Sequence, residues 1–162
     1  MGPIGRRDYI RIIEWDEVGH NIISHIIVSY DISGVRSIQF GYVENGALVM
    51  SKTYGGSPLG LSSRIVRLKH ESEFITGISM EIYSNSITSL TFHTNQRKHE
   101  AVHLTFDTKF SKPQKMELHS GILERSEFGG FFGTRGDFDL FSIGICVRLN
   151  LPGAEKIKNE KV

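Results

Sequence analysis

Apolar and polar residues alternate through most of this chain. Ile38, Phe40 and Tyr42 occupy every second position of one run, which is the pattern of a strand with one buried face. The Asn45-Gly46 pair that follows predicts a hairpin, because both residues tolerate positive φ, and the apolar run 47–50 would be its second strand. No window sustains an amphipathic helical period, so the pattern predicts an all-β protein of about ten or more short strands.

Further strands are predicted at residues 22–30, 64–68, 73–83, 87–94, 102–106 and 140–149. Two glycine-rich stretches, residues 54–60 and 129–136, are predicted to be loops. The second stretch ends in Asp137-Phe138-Asp139, directly before a strand. A glycine turn beside an acid can present backbone N–H groups and a carboxylate to the hydroxyls of a sugar. This end of the chain therefore indicates carbohydrate binding.

Composition narrows the function classes further. A length of 162 residues suits one domain. With 19 basic and 18 acidic side chains, the chain lacks the excess of positive charge that is typical of proteins that bind nucleic acid or an anionic membrane. A single cysteine, Cys146, excludes an intramolecular disulfide framework, and its place in an apolar strand favours a structural thiol. No apolar run reaches the roughly 20 residues of a membrane span, and the start of the chain has no signal-like core. We expect a soluble, cytoplasmic protein with a domain at residues 1–152 and a charged tail at 153–162.

One sequence motif matches a known zinc-binding pattern. His99-Glu100-Ala101-Val102-His103 fits H-E-x-x-H, which binds zinc when a helix brings both imidazoles to one face. Alternating β-branched residues surround the motif here, and on a strand these two histidines would lie on one face but about 13 Å apart. A third ligand would have to come from His119, Glu117 or Glu124. We predict no metal site and no enzyme.

Several segments, in order along the chain, resemble the landmarks of jacalin-related plant lectins. They are Gly34-Val-Arg-Ser-Ile-Gln-Phe-Gly-Tyr-Val43, Tyr54-Gly-Gly56, Phe74-Ile-Thr-Gly-Ile-Ser79, Ser89-Leu-Thr-Phe-His-Thr-Asn95 and Gly130-Phe-Phe-Gly133. The resemblance implies a β-prism I fold, with three four-stranded antiparallel Greek-key sheets around a pseudo-threefold axis. Residues 12–24 are similar to a single-domain member of the family that restricts potyvirus movement.

The family binds mannose, glucose or galactose without metal, between an amino-terminal glycine loop and a Gly-x-x-x-Asp sequence. By resemblance, the carbohydrate-binding residues here are Gly5, Arg6, Gly136, Asp137, Phe138 and Asp139. Two departures stand out. Arg6 replaces a second glycine, and the loop after Gly136 carries one extra residue, so Asp139 precedes the expected position. Asp139 can take the acidic role if the extra residue forms a β-bulge; otherwise its side chain points to the opposite face.

Two functions remain open at this point. One is a metal-independent, mannose/glucose-type lectin of plant defence, with a homo-oligomeric assembly and no cofactor. The other is a protein-interaction module that has kept the jacalin fold and lost sugar binding, acting in virus restriction or self-association. The only tryptophan, Trp15, either anchors the core or stacks on a sugar, and aromatic burial favours the core.

Overall fold

The computed structural model describes residues 11–20, 22–107, 109 and 111–149. Within these residues the chain forms strands and one turn of 3-10 helix, Arg125–Glu127. The strands are β1 (Ile13–Val18), β2 (Ile23–Asp31), β3 (Gly34–Glu44), β4 (Ala47–Met50), β5 (Tyr54–Gly55), β6 (Ser62–Arg67), β7 (Ile75–Tyr83), β8 (Ser86–Thr94), β9 (Lys98–His103), β10 (Gln114–His119), β11 (Phe128–Arg135) and β12 (Leu140–Val147). None of the helical structure in the described part of the chain is long and apolar enough to cross a bilayer.

Three antiparallel sheets make up the molecule, which confirms the all-β prediction. Their strand orders are β1-β11-β12, β10-β7-β8-β9 and β4-β3-β2-β6, with β5 paired to β3. Where the resemblance implied four strands in each sheet, the described residues give three, four and five. Alternation along each strand sends one set of side chains inward, so the three apolar faces enclose one core.

The centre of this core contains one phenylalanine from each sheet. Phe40 of β3, Phe92 of β8 and Phe131 of β11 have no solvent exposure. The Phe131 ring stacks on Phe40 with centroids 4.9 Å apart and meets Phe92 edge-on at 5.8 Å. Offset and edge-on contacts are the favourable aromatic geometries. The three rings therefore fix the sheets to one another and set the positions of the loops at their ends.

The loop predicted at residues 129–136 is wrong, because most of it is strand β11. Phe128 and Phe131 are buried on this strand, and its glycines are sites of close packing. At Gly130, where φ is +125°, an added Cβ would lie 2.0 Å from the Glu17 carbonyl oxygen of β1. Glycine is needed here so that β1 can approach.

Other strand boundaries also differ from the pattern. The strand predicted at 102–106 instead runs from Lys98 to His103, and β1 and β10 were not predicted. Residues 54–55, predicted to belong to a loop, form the short strand β5. Every residue of β10 is exposed, so its sequence carries little of the inward-facing apolar signal on which strand prediction depends. The hairpin at Asn45-Gly46 is confirmed, with both residues at positive φ.

Candidate functional site

The loop between β11 and β12 contains four of the six residues predicted to bind carbohydrate. The Gly136 N–H donates to the Asp139 carbonyl oxygen at 2.9 Å, which closes a tight turn with Asp137 and Phe138 at its exposed tip. Phe138 is 78% exposed. Among the described residues, none accepts a hydrogen bond from the backbone N–H of Asp137, Phe138 or Asp139. Three neighbouring donors at this tip are therefore without an acceptor among the described residues.

The extra residue of this loop is taken up by a β-bulge. Thr134 pairs with Ser142 and Arg135 pairs with Leu140, which leaves Phe141 without a partner of its own. Leu140 is buried in the core, and the Phe141 ring lies against Gly136. The bulge takes up the extra residue at the start of β12, which is the condition under which Asp139, in the loop before this strand, can serve as the acid of the site.

The Asp139 carboxylate is held by Arg36 of β3. One oxygen of Asp139 accepts a hydrogen bond from the Arg36 guanidinium, whose Nε donates to Asp31 at 2.8 Å. Burial alone would raise the pKa of Asp31, but hydrogen bonds from Arg36 and from the Ser33 N–H lower it below its ordinary value. The bridge orients Asp139 and leaves its second carboxylate oxygen without a partner among the described residues. Arg36 was not predicted, because its partner lies 103 residues away.

A second glycine-containing segment, Tyr54-Gly55-Gly56, packs against the β11–β12 loop. The Gly56 N–H donates to the Arg36 carbonyl oxygen at 2.9 Å. An added Cβ at Gly56 would lie 2.5 Å from the Phe138 carbonyl oxygen, so only glycine lets the two loops pack this closely. The Tyr54-Gly55-Gly56 landmark is therefore a structural platform for the tip of the candidate site.

Trp15 lies in the core, as aromatic burial favoured. It is 6% exposed and stacks on Tyr54 with ring centroids 4.7 Å apart. The Tyr54 hydroxyl donates to Glu17, which also accepts from Tyr42 at 3.3 Å. Burial and the Glu17 carboxylate raise the pKa of Tyr54 above its ordinary value. This network ties β1 to the glycine loop under the site.

The remaining two predicted binding residues, Gly5 and Arg6, lie outside the described residues, as does the tail at 153–162. The candidate site is therefore built here from Gly136, Asp137, Phe138 and Asp139 with Arg36 behind them.

The H-E-x-x-H motif lies on strand β9, as its surroundings predicted, and a bulge changes its geometry. Leu90 pairs with Val102 and Thr91 with Glu100, so Ala101 is the bulged residue. His99 and His103 consequently lie on opposite faces of the sheet, which corrects the expectation that they share one. His99 Nε2 donates to the Glu73 carboxylate at 2.6 Å, and His103 contacts Ser89 at 3.4 Å. Across the described ranges, no group of three or more His, Cys, Asp or Glu residues could hold a metal ion.

Comparisons with known proteins agree with this architecture. The model of the jacalin-like lectin domain matches residues 2–146. Jacalin-related lectin 24 of Arabidopsis thaliana is 42% identical over 91% of this chain, and the chain spans only 66% of that relative's length. The Arabidopsis protein RESTRICTED TEV MOVEMENT 1 is 35% identical, with 91% of this chain and 86% of the relative aligned. The similarity expected from residues 12–24 therefore extends along the chain.

Solved structures show the same fold at lower identity. The structure of frutalin from Artocarpus incisa in complex with galactose aligns with a TM-score of 0.64 and 18% identity, over 84% of this chain and 98% of frutalin. The artocarpin–mannotriose complex aligns with a TM-score of 0.62 and 24% identity, over 84% and 89% of the two chains. The prism predicted from the sequence is confirmed. The chain belongs to the family of jacalin-like lectin domains.

Proposed function

We propose that this protein is a non-enzymatic, metal-independent carbohydrate-binding protein whose site is the tip of the β11–β12 loop. The observation that carries the proposal is the set of three neighbouring backbone N–H groups, at Asp137, Phe138 and Asp139, that no described residue accepts from. They lie beside a carboxylate fixed by Arg36. The hydroxyls on neighbouring carbons of a sugar each donate and accept hydrogen bonds. A small turn that carries both donors and an acceptor can therefore bind two of them.

Mannose and glucose are the sugars that we propose for this site. Artocarpin, which shares the fold, is described in complex with mannotriose, whereas frutalin is described in complex with galactose. Phe138 at the tip supplies an apolar edge for the C–H face of a pyranose. A single shallow site of this kind binds a monosaccharide with a Kd of about 1 mM. The proposal includes a cytoplasmic location. It also includes self-association, because several weak sites in one assembly bind with higher avidity than a single site.

Two aspartate variants test the loop. Asp139→Ala removes the acceptor, and we expect affinity for mannose to fall at least about tenfold, as losing a partner of a bound hydroxyl does. Asp137→Ala is the matched control, because the change removes an exposed carboxylate from the same turn and leaves the backbone N–H in place. Its affinity should stay within about twofold of the parent. Titration calorimetry with mannose, glucose and galactose measures both; no sugar-dependent heat in the parent protein at millimolar ligand would refute the lectin proposal.

The Arg36–Asp139 ion pair favours a second candidate, a protein-interaction module of the same fold. Arg36 is three-quarters buried and already occupies one Asp139 oxygen, so a sugar must share the carboxylate with a guanidinium. RESTRICTED TEV MOVEMENT 1 is one of the relatives of this chain. On this alternative the loop tip and the charged tail contact another protein, and the pair serves only to hold the loop rigid.

Replacing Arg36 separates the two candidates. If Asp139 binds sugar, the Arg36→Gln variant no longer holds the Asp139 carboxylate in the orientation that binding requires. Mannose affinity should then fall by about threefold to tenfold. If the ion pair instead blocks sugar binding, the same variant gains affinity or binds where the parent does not. Calorimetry on Arg36→Gln, with thermal unfolding to correct for stability, distinguishes these outcomes. Protein partners that remain bound in excess mannose and dissociate when residues 153–162 are deleted would favour the interaction module.

A further inference from the structure

A second polar groove lies on the outer face of the β1-β11-β12 sheet. Its volume is about 540 Å³, and Glu14, Asp16, Phe132, Thr134 and Ser142 line it. These side chains point outward because they alternate with the core-facing Trp15, Phe131 and Ile143 along the same three strands. A volume of this size is within the range of small-ligand sites.

The floor of the groove is an aromatic platform. Phe132 is 45% exposed on the middle strand of the sheet. The tip of its ring lies over Gly144 of β12, where an added Cβ would come within 2.6 Å of the ring. Glycine at position 144 therefore makes room for an exposed phenylalanine to lie across the neighbouring strand. An exposed aromatic ring held in this way offers dispersion contacts to the C–H face of a pyranose.

The walls of the groove carry both kinds of hydrogen-bonding group. The Thr134 and Ser142 hydroxyls contact each other at 2.7 Å, and the Ser142 oxygen also accepts from the Thr134 N–H at 2.9 Å. One hydroxyl proton is used between the two, so the other remains available to a ligand whichever residue donates. Opposite them, the Glu14 and Asp16 carboxylates are exposed, and no described residue forms a hydrogen bond or an ion pair with either carboxylate. These carboxylates are acceptors for ligand hydroxyls.

We propose that this groove is a second carbohydrate subsite, which binds one residue of a neutral glycan. A pyranose ring donates and accepts hydrogen bonds through its hydroxyls and presents an apolar C–H face. It therefore matches the carboxylate acceptors, the Thr134–Ser142 hydroxyl pair and the Phe132 ring. A peptide strand fits less well, because β11 is already paired on both sides and the groove offers side chains only. Glu14 and Asp16 stand about 7 Å apart on one strand. Their shared negative charge selects against acidic sugars such as glucuronic acid.

The subsite rests on the carbohydrate function but not on the loop at Asp139. Each site can therefore fail separately. Backbone amide chemical shifts, followed while mannose, mannotriose or glucuronic acid is added to the full chain, report on each location independently. The expected result is a set of shifts around Phe132, Thr134 and Ser142 for the neutral sugars that is at least about tenfold weaker for glucuronic acid.

Variants then assign the groove shifts to its side chains. Phe132→Ala and Asp16→Asn should each weaken the groove shifts about tenfold, since each removes one of the proposed contacts. Glu100→Gln, an exposed carboxylate of β9 on another sheet, is the matched control and should change nothing. Mannose shifts confined to residues 136–139 would overturn the subsite while supporting the loop. Groove shifts produced by a lysine-rich peptide and not by a neutral sugar would also overturn it.

Discussion

Glu73 is a charged residue whose side chain has no solvent exposure. Its carboxylate accepts hydrogen bonds from the Thr94 hydroxyl at 2.8 Å and the Lys69 N–H at 2.9 Å, and it contacts His99 Nε2 at 2.6 Å. Burial alone would raise its pKa, but the hydrogen bonds from His99, Lys69, Thr94 and Arg97 lower the pKa from 4.5 to about 2. The ionised form of Glu73 is therefore part of the folded structure.

The protein should lose stability in acid partly through this residue. Between pH 4.5 and about 2 the unfolded chain binds a proton at Glu73 that the folded chain does not, so the free energy of unfolding falls as pH falls through this window. The contribution is complete above pH 4.5 and amounts to at most about 3 kcal/mol. In Glu73→Gln we expect a loss of up to that size at pH 7 and a smaller loss at pH 3, measured by urea unfolding.

Glu100→Gln is the control for this prediction, because Glu100 lies on β9 next to His99, the partner of Glu73, and is exposed. Its free energy of unfolding should follow the parent within about 0.5 kcal/mol at every pH. An equal loss at pH 7 and pH 3 for the Glu73 variant would mean that packing, and not the charge, is what the residue contributes.

Some residues of the candidate site and of the core could be predicted from the sequence, and others could not. The acid and the aromatic of the loop were recognisable from Gly136 onward, because a glycine turn before a strand has a local signature. Arg36 and Glu73 gave no such signal. Each acts through a partner that is distant in sequence, Asp139 for Arg36 and His99 for Glu73. Long-range pairs of this kind depend on the assembled sheets and cannot be derived from one sequence.

Strand β11 shows how glycine can hide an element. Its sequence, Phe128-Gly-Gly-Phe-Phe-Gly-Thr-Arg135, predicts a loop by composition, yet it is the middle strand of its sheet. The glycines are needed because neighbouring backbone and rings come very close. At Gly133 an added Cβ would lie 2.0 Å from the Ser142 carbonyl oxygen and 2.9 Å from the Trp15 ring. Tertiary crowding overrides the propensity of glycine for turns here.

Two glycine-to-alanine changes on neighbouring strands should have different effects. Gly133→Ala places a methyl against backbone and a buried indole, neither of which can move aside, and we expect it to destabilise the protein by about 2–4 kcal/mol. Gly144→Ala meets only the tip of the exposed Phe132 ring, which can rotate away. Its cost should be below about 1 kcal/mol. Denaturant unfolding of the two variants gives the comparison, and equal losses would show that the crowding at Gly133 is relieved by backbone movement.

Elements with a clear inward-facing alternation were predicted well, and the others were not. The β3–β4 hairpin and the buried strands β7 and β8 followed from period two and the Asn45-Gly46 turn. The exposed edge strand β10 and the glycine-rich β11 did not. The bulge at Phe141 was foreseen as a condition, since an inserted residue must either bulge or reverse the face of the strand. Only the assembled ladder shows that the bulge is what occurs.

At the scale of the whole molecule, the three sheets depend on a shared centre. Each contributes a phenylalanine with no solvent exposure, and the ring of Phe131 contacts the rings of both Phe40 and Phe92. Because no sheet buries its inner face without the other two, the chain should unfold as one cooperative unit. The candidate loop and the outer groove both extend from strands that carry or adjoin this cluster, so their geometry depends on the same core.

Truncating the central ring tests this dependence. Phe131→Ala removes the contacts to both other sheets, and we expect it to destabilise the protein by about 3–5 kcal/mol, a large share of the 5–15 kcal/mol typical of a domain. Phe138→Ala, which truncates a ring that is 78% exposed, is the control and should cost less than about 0.5 kcal/mol. If Phe131→Ala does not fold, Phe131→Leu provides a milder truncation. Trp15 fluorescence reports on one sheet and far-ultraviolet circular dichroism on all three, and their unfolding transitions should coincide. Separate transitions would show that the β1-β11-β12 sheet unfolds independently of the other two.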